Sequence, residues 1–247
     1  MKKLFFAAAL VAAGCVGRVD PQQPPLPGEP ALDSRASTVV AEIASATADG
    51  QERIDVTVTL RDTDGNSMAG QQVLLTTSGA GDQVAQPSAP TDANGVAIGS
   101  ITSTRAEPKV IRALVGGVVL AQQLTVKFHG GQAAQVAFVV QPSSVAAGVP
   151  IAPAVVVAIE DALGNPVSST SLVKLTLVQF GSGATLSGTT TVAAVNGQAR
   201  FANLAIDRAA ASYRLHAECE VLVPATSALF SVTAAAPAPL VALDDAE

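Results

Sequence analysis

The sequence contains no tryptophan and a single tyrosine, Tyr213. That absence argues against an aromatic-rich ligand platform, the kind of surface on which bases or sugar rings stack. Charge is also scarce: charged residues make up 14% of the chain against 49% hydrophobic, and the net charge is −6. Lysine and arginine never cluster. An acidic chain of this kind lacks what nucleic-acid binding, or electrostatic attachment to anionic lipid, requires. Two cysteines, Cys15 and Cys219, form no disulfide framework, and two histidines, His129 and His216, stand in different halves of the chain. Long apolar runs are missing too. The one uninterrupted run lies at the extreme N-terminus and is too short to span a bilayer. The remaining apolar content is alanine and valine dispersed among Thr, Ser and Gly, the composition of half-buried strands. The 247 residues leave room for two domains of about 100 residues, each large enough to bury its own core.

The N-terminus reads as an address. Met1-Lys2-Lys3 is a charged start, Leu4 to Ala13 a short apolar stretch, and Gly14-Cys15 follows directly. This is the pattern of a secretory signal rather than a membrane span. Val11-Ala12-Ala13-Gly14-Cys15 resembles a bacterial lipobox, departing from it in having Ala12 three residues before the cysteine, with Val11 one further back. The resemblance implies cleavage after residue 14, diacylglycerol on the Cys15 sulfur and acylation of its amine. At about 0.8 kcal/mol per buried CH2, two or three acyl chains anchor stably. Cleavage would remove Lys2 and Lys3, two of the 14 basic residues, and none of the 20 acidic ones. Val16 in place of Asp implies, by the same resemblance, delivery to the outer membrane, outside the cytoplasm. Residues 15–36 then form a lipidated, proline-rich tether. Its five prolines between residues 21 and 30 oppose helix and strand pairing.

Beyond the tether the chain is written twice. Asp62-Thr63-Asp64-Gly65-Asn66 matches Asp161-Ala162-Leu163-Gly164-Asn165 at an offset of 99, and Asn94-Gly95 matches Asn196-Gly197 at an offset of 102. Asp49-Gly50 recurs loosely as Ala147-Gly148, and Lys109-x-Ile111-x-Ala113 as Tyr213-x-Leu215-x-Ala217. Ile54, Val56, Val58 and Leu60 alternate with Asp55, Thr57, Thr59 and Arg61, a period of two with one apolar face. Val155, Val157 and Ile159 occupy the equivalent positions, with a less polar opposite face. The Asp-x-x-Gly-Asn that follows each run reads as a hairpin turn, with Gln72–Thr76 and Val173–Leu177 returning as the partner strands. Further strands are expected over Val96–Thr102, Gln198–Leu204, Leu120–Phe128 and Ala228–Val232. A turn signal about every ten residues and no helical period predict an all-β chain of two tandem immunoglobulin-like antiparallel β-sandwiches of about seven strands each. The units span residues 37–128 and 133–233, with a short linker between them and a disordered tail over 234–247.

The first unit resembles the bacterial Ig-like domain of the invasin and intimin type. The resemblance rests on Ala48-Asp49-Gly50, Val56-Thr57-Val58, Asp62-x-x-Gly65-Asn66, Ala69-Gly70-Gln71, Thr91-Asp92-Ala93-Asn94-Gly95-Val96-Ala97 and Thr102-Ser103-Thr104. The second is similar to the Ig-like repeats of large bacterial surface proteins, through Phe138-x-x-Gln141-Pro142-Ser143, Leu186-Ser187-Gly188-Thr189, Asn196-Gly197-x-Ala199-x-Phe201 and Tyr213-x-Leu215. The first unit departs from its family at Glu107-Pro108-Lys109, where Gly and then Tyr are usual, so that corner is expected to be weaker.

Nothing in the sequence has catalytic form, and we expect no enzyme, no cofactor and no metal. Asp62, Asp64 and Asn66 open with the one-three-five spacing of a calcium loop. However, Ser67 stands where its glycine belongs and Val73 where its bidentate glutamate belongs, so turn chemistry is the better reading. His216 and Cys219 are a weak metal pair. Cys219 lies between Glu218 and Glu220, whose charges disfavour a thiolate, and reads as a packing residue. The expected function is surface adhesion or protein–protein interaction by a cell-envelope lipoprotein, with a protein or surface glycan as partner. The competing expectations are a non-catalytic spacer or scaffold of the outer envelope, and a polysaccharide-binding module.

Overall fold

The computed structural model describes residues 30–179 and 183–235. The signal sequence, Cys15, most of the tether and the tail from residue 236 lie outside the described residues. Among those described there is no helix, and the strands gather around two separate apolar cores.

The first unit contains β1 (Thr38–Ala41), β2 (Ser45–Thr47), β3 (Ile54–Thr59), β4 (Val73–Thr77), β5 (Asp82–Ala85), β6 (Val96–Ser103), β7 (Pro108–Val115), β8 (Val118–Val119) and β9 (Leu124–His129). One sheet runs β1-β3-β6-β5 and the facing sheet β2-β9-β7-β4, with β8 beside β7. The second unit contains β10 (Gln135–Val140), β11 (Val145–Ala146), β12 (Val155–Glu160), β13 (Leu172–Gln179), β14 (Leu186–Ser187) and β15 (Thr191–Ala193). It continues with β16 (Gln198–Phe201), β17 (Ala205–Ile206), β18 (Ala210–Glu218), β19 (Ala225–Thr226) and β20 (Phe230–Thr233). Its sheets run β10-β12-β16 and β11-β20-β18-β13-β15, with β19 on β18 and a small β14-β17 pair. The chain is thus two tandem immunoglobulin-like β-sandwiches. Both repeat one unanticipated detail: the short second strand leaves the first sheet and pairs in parallel with the last strand of the other, Ser45 opposite Lys127 and Val145 opposite Val232.

The alternation read from the sequence is the alternation of burial. Ile54, Val56, Val58 and Leu60 are fully buried. Each such side chain removed from water contributes about 1.5–3 kcal/mol. Most of β12 is buried on both faces, which accounts for its less polar outer residues.

The hairpin reading of Asp-x-x-Gly-Asn requires correction. Locally the chain does turn back, with Arg61 opposite Ser67 and the Met68 amide donating to the Leu60 carbonyl. It then crosses to the opposite sheet. β3 pairs with β1 and β6, whereas β4 pairs with β7; β12 and β13 are parted in the same way. The apolar faces of the two strands meet across the core, which two strands paired edge to edge within one sheet could not do. Predicted strand ends shift as well. Of Leu120–Phe128 only Leu124 onward is strand, as the start of β9, and of Gln198–Leu204 only Gln198–Phe201, as β16.

The corner expected to be weak is instead occupied. In the second unit the buried Tyr213 hydroxyl donates to the Arg208 carbonyl at 3.0 Å, and its ring lies 6.1 Å from Phe230. Lys109 takes the same place in the first unit and is fully buried, its amine held by Ala80, Glu107 and Asp82.

Candidate functional site at the junction of the two sandwiches

β3 and β6 run antiparallel, with Thr59 opposite Val96 and Ile54 opposite Ile101. The Asp62 turn therefore lies at one pole of the first sandwich and Thr104 at the other. β9 brings the chain to that second pole, where Ala48 donates to the His129 carbonyl. Gly130 and Gly131 pass into the second unit, and the repeated turn Asp161–Asn165 faces back across the joint.

Asp161 organises that turn. Its Oδ1 accepts from the amides of Leu163 and Asn165 at 2.9 and 2.8 Å, and its Oδ2 from the Gly131 amide at 2.9 Å and Asn165 Nδ2 at 3.1 Å. Burial pushes this carboxyl up, but the hydrogen bonds from Gly131, Asn165 and Leu163 together outweigh burial and hold it below its ordinary value. Asn165, itself buried, then reaches into the first sandwich. Its Oδ1 accepts from the Ala106 amide at 2.9 Å, and its Nδ2 donates to the carbonyls of Thr104 at 3.0 Å and Ala48 at 3.3 Å. One carboxamide thereby ties the second unit to two loops of the first. The linker fits as closely: a side chain on Gly130 would sit 2.4 Å from the Pro166 carbonyl.

The first-unit copy of the motif makes the same local turn. Asp62 accepts from the amides of Asp64 and Asn66 and from Asn66 Nδ2, and the Asn66 amide is the leading reason its pKa is lowered. Its outer side meets the incoming chain instead of another domain, with the Thr63 amide donating to the Ala31 carbonyl, and Asn66 stays exposed. Both aspartates spend their lone pairs on the chain's own N–H groups. Among the described residues no group of three or more His, Cys, Asp or Glu is placed to hold a metal ion.

The remaining sequence candidates do not converge. His129 ends β9, its Nδ1 3.1 Å from the Gly130 carbonyl. His216 lies on β18, its Nε2 3.4 Å from Glu218 and its Nδ1 3.2 Å from Thr226 Oγ1. Cys219 is a buried free thiol whose pKa is raised, first by burial and then by Glu220. The functional residue that sequence reasoning passed over is Asn165, read as half of a turn motif with no hint of a domain contact.

Residues 36–129 match the model of the bacterial Ig-like domain (group 1). The first sandwich is similar to the group 1 bacterial Ig-like domain. No curated protein matches the chain. Among solved structures, the chain is similar to the Yersinia pseudotuberculosis adhesin InvE, at 18% identity over 83% of this chain and 61% of that one, with a TM-score of 0.43. It is similar to the Escherichia coli adhesin FdeC at 20% identity over 82% of this chain and 66% of that one, with a TM-score of 0.44. The corresponding values for invasin, a bacterial integrin-binding protein, are 17%, 81%, 41% and 0.48. The chain thus spans 61% of the InvE structure and 41% of that of invasin.

The junction carries a pH prediction. A carboxyl whose folded pKa is depressed stabilises the fold fully above its unfolded value, about 3.9 for Asp, and loses that contribution as pH falls through the folded value. Asp161 is such a group. The melting temperature should therefore hold above about pH 5 and fall on acidification below about pH 4. The fall should be steeper in the wild type than in Asp161→Asn. Parallel profiles for the two proteins would contradict this role.

Proposed function

We propose that the chain is a cell-envelope lipoprotein that carries a two-sandwich rod for adhesion or protein–protein interaction. The observation that carries this reading is the end-to-end arrangement. The described chain enters the first sandwich at its Asp62 pole, leaves at the opposite pole, and is clamped there to the second sandwich by Asn165. A lipid on Cys15 at the end of a proline-rich tether would then hold the first sandwich near the membrane and project the second away from it. The partner in this reading is a protein or a surface glycan; InvE and FdeC are adhesins, and invasin is an integrin-binding protein.

The clamped joint also favours a second reading, a non-catalytic spacer of the outer envelope, since stiffness serves a stalk as well as a binding head. Protease treatment of intact cells separates the two. Shaving from intact cells is expected of an outward-facing adhesive rod; survival until the envelope is breached would leave the periplasmic spacer. Membrane fractionation of Cys15→Ala tests the anchor: release into the soluble fraction is expected, and continued retention would remove lipidation from the proposal.

A further inference from the structure

The site that replaces the tyrosine corner in the first sandwich holds three groups of complementary chemistry. Lys109 is on β7 of one sheet, and Asp82 is the first residue of β5 of the facing sheet. The Lys109 side chain is fully buried and that of Asp82 nearly so, at 5% exposure. Lys109 Nζ lies 2.7 Å from Asp82 Oδ1, 2.5 Å from Glu107 Oε1 and 2.7 Å from the Ala80 carbonyl. Toward Glu107 and Ala80 the amine has the alignment of a hydrogen bond. Toward Asp82 it does not: Oδ1 is buried, in contact with the nitrogen, and without a hydrogen-bonded partner. The nitrogen rests against this carboxyl without a hydrogen-bonded approach to the oxygen it touches. The other oxygen, Oδ2, accepts from the Thr77 hydroxyl at 3.0 Å, which draws electron density from the carboxyl carbon. Gly79 closes over the group at a φ of +106°, and a Cβ there would meet Glu107 Oε1 at 2.5 Å and Lys109 Nζ at 2.8 Å. The second sandwich fills the equivalent position with Tyr213, whose hydroxyl donates to the Arg208 carbonyl. A buried ion pair is a poor exchange for that phenol if stability is all it supplies, because desolvation of both charges offsets their attraction.

We propose that Lys109 and Asp82 condense to an isopeptide bond that staples the two sheets of the first sandwich, with Glu107 as the proton carrier. The Lys109 ammonium gives a proton to the Glu107 carboxylate, and the freed amine attacks Asp82 Cγ. The Nζ–Cγ bond forms as the Cγ–Oδ1 bond breaks. Oδ1 leaves as water, taking one proton directly from the attacking nitrogen and the second from Glu107, which returns to its carboxylate. An amide and one water replace an ammonium and a carboxylate, so no oxidant or other reactant is needed. The contact distance makes the step effectively unimolecular. Burial of Lys109 and Asp82 keeps water from the reverse reaction, while Glu107, 44% exposed, connects the site to solvent.

Tryptic digestion of the denatured full-length protein tests this, because trypsin cuts after Lys109 only when its amine is free. The expected wild-type digest lacks that cut. Residues 62–105 and 106–112 appear as one branched species, lighter than the two peptides together by one water. Asp82→Ala and Glu107→Gln should each restore the cut and release 106–109. A wild-type digest that yields free 106–109 in full amount would overturn the bond. A crosslink that persists undiminished in Glu107→Gln would overturn the role of Glu107.

Discussion

Replacing Asn165 with alanine should uncouple the two sandwiches while leaving each folded. The substitution removes the acceptor of the Ala106 amide and the donor to the Thr104 and Ala48 carbonyls, and it takes one hydrogen bond from Asp161. Buried polar groups left unpaired cost about 1–3 kcal/mol each, and some of these would regain water as the joint opens. A loss on the order of 3 kcal/mol of coupling is expected, read as separation of a single unfolding transition into two and as a broader interdomain distribution in small-angle scattering. Asn66→Ala removes the corresponding residue from the same motif. Asn66 is exposed and its side chain turns back on Asp62, so a loss of about 1 kcal/mol or less, with unchanged scattering, is expected. Equal effects of the two substitutions would mean that the joint does not depend on Asn165.

That contrast shows where sequence reading reached its limit. The repeat, the two cores and the alternation of β3 were legible because they depend on local period and on glycine-bearing turns. The difference between Asn66 and Asn165 was not, since both stand in Asp-x-x-Gly-Asn and only the presence of a preceding sandwich distinguishes them. The hairpin reading failed for a related reason. Five residues define the turn, but whether the chain next pairs in the same sheet or crosses to the other depends on which apolar faces must meet. Lys109 was legible as a missing phenol. Its partner Asp82 comes from the facing sheet, and no local pattern announces a pairing between distant strands. The parallel switch of β2 onto β9 was hidden likewise, in three residues with no periodicity of their own.

The second large effect concerns Gly197. The two Asn-Gly landmarks lie beneath the Asp turns. Gly197 has a φ of +79°, and a Cβ on it would stand 2.0 Å from the Val167 carbonyl oxygen; Gly95, at +77°, would meet that of Leu60 at 2.6 Å. In each case the obstacle is backbone that is already hydrogen-bonded: the Val167 amide donates to the Ile159 carbonyl, and the Leu60 carbonyl accepts from the Met68 amide. Gly197→Ala therefore combines a left-handed conformation, about 1–2 kcal/mol for an alanine, with displacement of the β12-to-β13 crossover. A loss of about 3–5 kcal/mol from the second sandwich is expected, enough to unfold it near physiological temperature while the first remains folded. Gly65→Ala isolates the conformational part. Its φ is +84°, yet nothing lies within 4 Å of the added carbon, so only the cost of about 1–2 kcal/mol should appear. Denaturant unfolding of both variants measures the difference, and that difference is the contribution of close backbone approach. If Gly197→Ala were no worse than Gly65→Ala, the crossover would have to yield without cost, and the Asn-Gly repeat would mark a turn preference rather than the contact that locks each Asp turn over its sheet.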